Sequence, residues 1–476
     1  MPDIVIQVPV ELKPVAEAVG ELVAQVQSAL ACPGGGPARE YARFEGEVEQ
    51  AAAKLERAVH QVVLSSLDVD APRVMIDGRR YSRVERSEAS YNTKAGAVSV
   101  MRSLFRADGE RNARVVDAVS LRAGVVGDGW LPHTAAAMAH LLQQGTSREA
   151  EVTGQRIGRL PYSRSSFERV GHEVGVLAEV HRIEVDDALA EALAVPAEAA
   201  SLSLSIDRVS LPMEEPRARP AGRPRKNAPR NPVARVFRMA YCATVTLHDE
   251  QGEALRTIRY GCMPESDPAT LCSAMARDAA AILERRPDLR VALLADGAPE
   301  MWNLLESQPG LLAGRRITKL IDLWHVLEKL GKAARVIYGA ETADAVLRRW
   351  RLLLLNRTAA ARTILDVLIV SGLEQARRDG ERPVHDAITY LTNNADRMQY
   401  VGARRAGLPL GSGNVEATCK SLVEQRMKRA GARWKHVTGK HILHLRALAL
   451  SDRWEPAISL TLRHQRKSVV ALQATA

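Results

Sequence analysis

The chain has 476 residues, more than one ordinary hydrophobic core, so two or three domains are expected. Its 66 lysines and arginines exceed its 56 acidic residues, which favours a polyanionic partner, although an arginine-rich genomic composition would explain part of the excess. Five scattered cysteines form no C-x-x-C pair, and no run approaches the roughly 18 uncharged residues of a membrane span, so we expect a soluble cytoplasmic protein.

The first two segments differ in periodicity. Apolar residues recur at helical spacing between Val10 and Leu67, interrupted by the Pro33-Gly34 turn region, which predicts an N-terminal helical region over residues 1–70. From 71 to 128, short β-branched runs alternate with turns at Asp77-Gly78 and Asp108-Gly109. This texture predicts a small antiparallel β-rich unit.

Residues 129–196 return to a helical pattern. Within them, the stretch from Gly158 to Glu168 is typical of the capped second helix of a DNA-binding helix-turn-helix. An ordinary helical connector has the same pattern, and both interpretations stay open.

From residue 197 the pattern becomes α/β. The run Ser201 to Asp207 alternates apolar and polar residues and ends on an acid. Strands are then predicted at 237–247, 254–261, 290–295 and 316–321, with helices at 268–286 and 300–306. The order βββαβαβ is that of the RNase H fold, in which the first and fourth strands are neighbours. We therefore assign the first part of a catalytic core to 197–326, an all-α insertion to 327–408, and the C-terminal helices of the core with a basic tail to 409–476.

Three acids stand where such a core would gather them. Asp207 and Asp296 each follow a predicted strand, and Glu416 lies early in a helix predicted from Val415 to Ala430. Gly297 is predicted to permit a sharp turn after Asp296. Mg²⁺ or Mn²⁺ prefers oxygen ligands, and two ions about 3.5–4 Å apart can activate the attacking oxygen and stabilise the leaving oxygen at phosphorus. Taken singly, each acid could instead be a turn or helix-capping residue.

Two further features surround these acids. His325, in a D-x-x-H turn that begins at Asp322, could position a phosphate or water, or could cap the following helix. Basic residues cluster near Glu416 and in a Pro- and Arg-rich tract after Asp207, where solvated surface and phosphate contact are both open. We predict DNA contacts for Arg223, Arg225, Lys226, Lys420, Arg426, Lys428, Arg429, Arg433 and Lys435.

Several motifs resemble one family. They are Leu294-Ala295-Asp296-Gly297-Ala298-Pro299-Glu300-Met301-Trp302, Asp322-Leu323-Trp324-His325, Gly411-Ser412-Gly413-Asn414-Val415-Glu416-Ala417-Thr418-Cys419-Lys420, and the basic run Gln425 to Trp434. Together these segments resemble the DD-E transposases of bacterial insertion sequences, specifically the ISKra type related to the Mutator-like superfamily. The β-rich unit with Ile76-Asp77-Gly78 also resembles the part that precedes the catalytic domain in that group.

The resemblance implies a function and a site. It implies an RNase H-like catalytic domain with Asp207, Asp296 and Glu416 as ligands of two Mg²⁺ or Mn²⁺ ions, and Asp322 with His325 as an accessory pair. It implies cleavage at terminal inverted repeats and strand transfer into target DNA, by a homodimer or higher oligomer on double-stranded DNA in the nucleoid. Arg208 departs from the small residue more usual after the first acid, so Glu214 and Glu215 are alternative ligands.

Two rival functions remain. An RNase H-like nuclease or resolvase would hydrolyse DNA without strand transfer. A domesticated transposase would bind DNA without catalysis, although three intact acids argue against it. A zinc-dependent enzyme has no ligand motif in the sequence to recommend it.

Overall fold

The fold consists of two compact units. A computed structural model describes residues 7–30, 38–215, 235–307 and 314–472, without the side chains of 38–40 and 235. One unit comprises Met1–Val185 with Glu455–Ala476, and the other comprises Asp186–Trp454. Each unit contains helices and a five-stranded sheet. Among the described residues, no helix has both the length and the apolar content that a bilayer crossing requires.

The first unit begins with the predicted helix pair, α1 (Lys13–Leu30) and α2 (Ala38–Ser66). An antiparallel sheet follows, with β1 (Arg73–Ile76), β2 (Arg79–Thr93), β3 (Gly96–Ala107) and β4 (Val116–Asp117). Its outer strand, β10 (Val469–Ala471), comes from the other end of the chain and pairs with β1. All of 409–476 is predicted to belong to the catalytic core, whereas the residues from Glu455 onward belong to this first unit.

Helices complete the first unit. They are α3 (Ala118–Ala123), α4 (Pro132–Gln144), α5 (Ser147–Arg156), α6 (Arg164–Val180) and the start of α7 (Arg182–Glu191). The predicted side-chain cap before α6 is wrong, since Ser163 makes no capping hydrogen bond. The capping box is instead at α5, where Thr146 and Glu149 bond reciprocally to each other's backbone N–H groups. A DNA-reading role for this helix pair stays a prediction.

The sheet of the second unit has the strand order β7-β6-β5-β8-β9. Its strands are β5 (Ser201–Glu214), β6 (Arg235–His248), β7 (Ala254–Cys262), β8 (Arg290–Ala295) and β9 (Ile317–Ile321), and its connecting helices are α8 (Pro268–Arg285) and α9 (Pro299–Glu306). The first three strands are antiparallel, and β8 runs parallel to both β5 and β9. The predicted order and the adjacency of the first and fourth strands are therefore confirmed.

The remaining elements of this unit are helical, as predicted. They are α10 (Leu323–Asn356, kinked at Gly339), α11 (Ala360–Val370), α12 (Pro383–Asn393), α13 (Tyr400–Arg405), α14 (Gly413–Thr418), a π-helical turn (Cys419–Glu424), α15 (Gln425–Met427), α16 (His436–Leu450) and α17 (Trp454–Arg463), whose residues from Glu455 onward belong to the first unit. The helix predicted from Val415 to Ala430 thus begins at Gly413 and ends at Met427.

Strand β5 is longer than predicted. It does not end at Asp207 but stays paired with β6 as far as Glu214, whereas its parallel pairing with β8 stops at Ser205. The apolar alternation changes phase at Asp207, because residues 202, 204 and 206 belong to one core and residues 209, 211 and 213 to another. Side chains alternate between sheet faces, so Asp207 shares the face of the second set.

Candidate active site at the edge of the second sheet

Asp207 lies half-buried on β5, and each of its carboxylate oxygens accepts one hydrogen bond. Its Oδ1 accepts a hydrogen bond from the backbone N–H of Arg208 at 2.7 Å, and its Oδ2 accepts one from the Cys419 thiol at 3.6 Å. The Arg208 guanidinium donates instead to Glu300 on α9, with Nη1 2.6 Å from Oε2. The arginine that looked unusual beside the first acid therefore does not neutralise it.

Two of the predicted acids affect the pKa of the third. Burial raises the pKa of Asp207 above its ordinary value, and the negative charges of Asp296 and Glu416 raise it further. The hydrogen bonds from the Arg208 backbone and Cys419 act in the opposite direction. Residues separated by up to 209 positions in the sequence thus lie within electrostatic range of one another.

Asp296 directly follows β8 and begins the turn into α9. Its Oδ1 accepts a hydrogen bond from the Ala298 N–H at 2.9 Å, and its carbonyl oxygen accepts one from the Trp302 indole at 2.8 Å. Gly297 is needed for a reason other than the predicted sharp turn, because its φ is not in the left-handed region. A Cβ at Gly297 would lie 2.3 Å from the Tyr390 ring, which packs directly on this backbone.

Glu416 is brought to Asp207 by the packing of its helix. Val415 and Cys419, on either side of it, are buried in a small core with Val209 and Leu211 of β5. This is the face of the strand that carries Asp207. Glu416 itself stays partly exposed, and its Oε1 lies 3.4 Å from His325 Nε2. The part of β5 beyond its predicted end therefore positions Glu416 near Asp207.

Asp322 has a different role from the three acids. It is fully buried and caps α10, because its Oδ1 accepts from the N–H groups of Trp324 at 2.6 Å and His325 at 3.1 Å. Its Oδ2 accepts from both the N–H and the hydroxyl of Ser412, the latter at 2.7 Å. Its own N–H donates to the Ala295 carbonyl at 3.0 Å.

Both oxygens of Asp322 are engaged by protein donors, and its contacts join the end of β8 to the loop before Glu416. A catalytic role for Asp322 stays a prediction. The same contacts show that His325 does not cap α10. Asp322 provides the cap, and the His325 ring extends toward Glu416.

The donor set suits hard divalent cations. Burial and the charges of Asp296 and Glu416 disfavour the ionised form of Asp207, and a bound divalent cation would relieve that repulsion. The ligand atoms of the three acids do not form a cluster within 4.8 Å in the described part of the chain.

The alternative first ligands fit less well. Glu215 is paired with Arg238, whose Nη2 lies 2.5 Å from its Oε1. Glu214 is seven residues further along β5 than Asp207, which corresponds to about 23 Å at 3.3 Å per residue. Asp207 is therefore the acid of this strand that can act with Asp296 and Glu416.

Eight of the nine predicted DNA contacts fall into three groups. Exposed positions are Lys420, Arg429, Arg433 and Lys435. Lys428 is partly buried and pairs with Glu424 at 2.9 Å. Arg223, Arg225 and Lys226 lie outside the described residues.

Arg426 is the one predicted DNA contact that is buried in the described part of the chain, and its contact with DNA stays a prediction. It is 6% exposed, and its guanidinium lies over the Trp434 ring at 5.1 Å from the centroid. Trp434 in turn pairs by its backbone with Pro212 and Glu214 at the end of β5. Arg426 thus holds the basic loop against the strand and does not face solvent.

Sequence reasoning missed Ser412 and Cys419 as functional residues. Both stand in motifs that drew attention for other reasons, but their partners, Asp322 and Asp207, are 90 and 212 residues away. No local pattern connects such pairs, and only the three-dimensional fold shows that they orient the site.

Comparisons with known proteins give weak likenesses. No family model matches the chain, and no curated protein matches it. Among solved structures, it is similar to a Drosophila P element transposase strand transfer complex at 14% identity, over 68% of this chain and 93% of that one, with a TM-score of 0.36. It is also similar to a Mos1 transposase paired-end complex with left transposon end, at 14% identity over 57% and 79%, with a TM-score of 0.16. Both scores are below 0.5, so neither likeness decides the fold or function of this chain.

Proposed function

We propose that this chain is the DNA transposase of an insertion sequence, with an RNase H-like catalytic domain in its second unit. The observation that supports the proposal is the placement of three acids: Asp207 on β5, Asp296 directly after the neighbouring parallel strand β8, and Glu416 on the helix whose Val415 and Cys419 pack against β5. Three acids from distant parts of the chain, one of them 3.4 Å from a histidine, have the composition of a site for divalent metal ions. The ISKra assignment remains part of the proposal and depends on the motifs alone.

The chain's own residues prepare this site. Asp207, Asp296 and Glu416 would hold two Mg²⁺ or Mn²⁺ ions, which when bound supply activation of the attacking oxygen and stabilisation of the leaving oxygen. Cys419 orients Asp207, and the Asp322–Ser412 contact fixes the loop that leads to Glu416. His325 restricts the position of the Glu416 carboxylate from the other side.

The proposed reaction has two displacements at phosphorus. In the first, a water oxygen attacks the phosphodiester at a transposon end, and the P–O3′ bond breaks to release a 3′-hydroxyl. In the second, that 3′-oxygen attacks a phosphorus of target DNA and displaces a target 3′-oxygen, so the number of phosphodiester bonds is conserved. The exposed basic residues Lys420, Arg429, Arg433 and Lys435 would contact the DNA backbone near the site. We propose a dimer or higher assembly, since both transposon ends must be held together.

The test is cleavage of a duplex that carries the inverted repeats flanking the gene. With Mg²⁺, we expect nicks at the repeat ends, followed by joining to a target plasmid. Asp296→Asn and Glu416→Gln should each lower the nicking rate at least about 1000-fold, or ~4 kcal/mol. Glu424→Gln is the matched control, because Glu424 is in the same helical segment and pairs with Lys428.

Each rival function predicts a distinct result. Nicking without joining would support the nuclease or resolvase. Specific binding without cleavage, unchanged by Asp296→Asn, would support a domesticated DNA-binding protein. Equal loss of nicking in Glu416→Gln and Glu424→Gln would contradict the assignment of the site.

A further inference from the structure

A second group of metal-binding side chains lies in the first unit. His181 follows the last residue of α6, Glu184 is in the first turn of α7, and His464 follows α17. One ligand atom from each of the three lies within 4.8 Å of the others. No other set of three or more His, Cys, Asp or Glu residues in the described ranges meets that condition.

A simple ion pair does not account for this arrangement. His464 Nε2 lies 3.3 Å from Glu184 Oε1, which would satisfy those two residues alone. However, the His181 ring stacks on His464 with 4.0 Å between centroids and 7° between planes. Two imidazolium rings at this distance would repel each other, so at least one ring is neutral and offers a lone pair.

We propose that His181, Glu184 and His464 bind a divalent transition metal ion of the zinc class, with water in the fourth position. Two imidazole nitrogens and one carboxylate oxygen form a donor set that zinc takes, whereas Mg²⁺ prefers oxygen ligands alone. Ligand distances of about 2.0–2.2 Å place two donors on one ion at most about 4.4 Å apart. The donors here lie within 4.8 Å, and the Glu184 side chain is 62% exposed and can move closer. Because an imidazole lone pair lies in the ring plane and the two rings are nearly parallel, binding also requires one ring to rotate out of the stack.

The ion would stabilise the C-terminal segment from His464 to β10. His464 is 280 residues from Glu184, and it is followed within a few residues by β10, the outer strand of the first sheet. In this segment the Lys467 N–H donates to the Leu121 carbonyl at 2.8 Å, and Val469 is buried in the core. A metal bridge between the α6–α7 junction and residue 464 would therefore hold this segment in place. The site is separate from the carboxylates of the second unit and does not depend on the proposed transposase activity.

Metal binding to the full chain tests the proposal. The chain is stripped with a chelator, dialysed and titrated with ZnCl₂, and in parallel with CoCl₂ for its ligand-field absorption. We expect about one tight equivalent, a tetrahedral Co²⁺ spectrum and a zinc-dependent rise in Tm. Groups that merely orient a metal ligand contribute 10–100-fold to affinity, so His181→Ala or His464→Gln should weaken binding by more than about 100-fold.

Two controls separate this site from other ligands. His60→Ala removes a histidine of the same unit that also lies beside an acid, with Nε2 4.0 Å from Glu56 Oε1, and it should bind zinc like the parent. Asp296→Asn should likewise leave zinc binding unchanged. If His464→Gln does not fold, the exposed Glu184→Gln provides the same test with less risk to packing.

Two results would overturn the proposal. One is a parent that takes up no tight equivalent of zinc. The other is a set of His181→Ala and Glu184→Gln titrations that match His60→Ala. Removal of zinc should also speed limited proteolysis within residues 465–472, and an unchanged cleavage rate would overturn the link between the ion and β10.

Discussion

Asp278 and Asp207 are two carboxylates of the second unit with opposite surroundings. Asp278, on α8, is 4% exposed and receives two hydrogen bonds from Arg453, each 2.8 Å, and one from the Tyr260 hydroxyl. Asp207 receives one backbone N–H and one thiol, and the charges that act on it most are those of Asp296 and Glu416. The first charge is neutralised by the protein, and the second is not.

This difference in charged neighbours distinguishes an acid with a structural role from an acid that is available to bind a ligand. A bidentate arginine occupies both oxygens of Asp278 and fixes the residues between α16 and α17 to α8. Keeping several acids close together costs stability, so a site of that kind is expected to have another use. Substitutions at the two positions should therefore have different consequences for folding.

The largest expected effect is at the structural acid. Asp278→Asn leaves Arg453 buried without its counter-charge, and breaking a buried pair in this way costs about 3–5 kcal/mol of unfolding free energy. Urea denaturation at pH 7 without divalent metal measures this loss.

Asp207→Asn is the matched control, since it is the same chemical change in the same unit. It removes a charge whose pKa is raised by burial and by neighbouring acids, so without metal it should cost no stability. An equal loss of stability in both variants would mean that Asp207 is also structural, and the comparison would fail.

A smaller effect concerns a buried base. His248 is 1% exposed, with Nε2 2.8 Å from the Ser203 hydroxyl and Nδ1 3.1 Å from the Gly252 carbonyl. Burial lowers its pKa to about 4 from the ordinary 6.5. Below pH 6.5 the unfolded chain binds this proton more readily than the folded one, so stability falls as the pH falls toward 4.

The expected loss from His248 between pH 7.5 and pH 5 is about 2 kcal/mol. It is measured as the difference between the parent and His248→Gln in urea denaturation at both values. The variant should start less stable at pH 7.5 and lose less on acidification. Parallel loss in both proteins would show that other groups cause the acid sensitivity.

The sequence predicted the parts of this unit that depend on local patterns. Strand β8 is a continuous buried run, and α8 begins at Pro268 after Asp267, whose side chain accepts from the Ala269 N–H, so both were located closely. The end of β5 was misplaced because its apolar residues change faces at Asp207. Strand β10 was missed because its partner, β1, is almost 400 residues away.

In the candidate site, too, some residues could be predicted from local patterns and others could not. The three acids could be proposed because predicted strand ends and a motif marked them. The roles of Asp322 and Arg426 could not, since residue type says nothing of burial. A buried aspartate with four protein donors and a catalytic aspartate are identical in the sequence.

The smallest expected effect is at the contact between Asp322 and Ser412. Ser412→Ala removes the 2.7 Å hydroxyl bond to Asp322 but keeps the backbone bond, so the loss of unfolding free energy should be about 1.5 kcal/mol. Because this loop leads into Glu416, we also expect about a tenfold fall in kcat for nicking at unchanged KM for DNA.

The control for Ser412→Ala is Ser273→Ala, which removes an exposed hydroxyl bonded to the Ala269 carbonyl on α8 and should change stability by less than about 0.5 kcal/mol. A Ser412→Ala protein with lowered stability and unchanged kcat would show that the contact supports the fold alone. A fall in kcat with unchanged KM would show that the hydrogen-bonded carboxylate of Asp322 acts on the reaction by fixing the position of the Glu416 carboxylate.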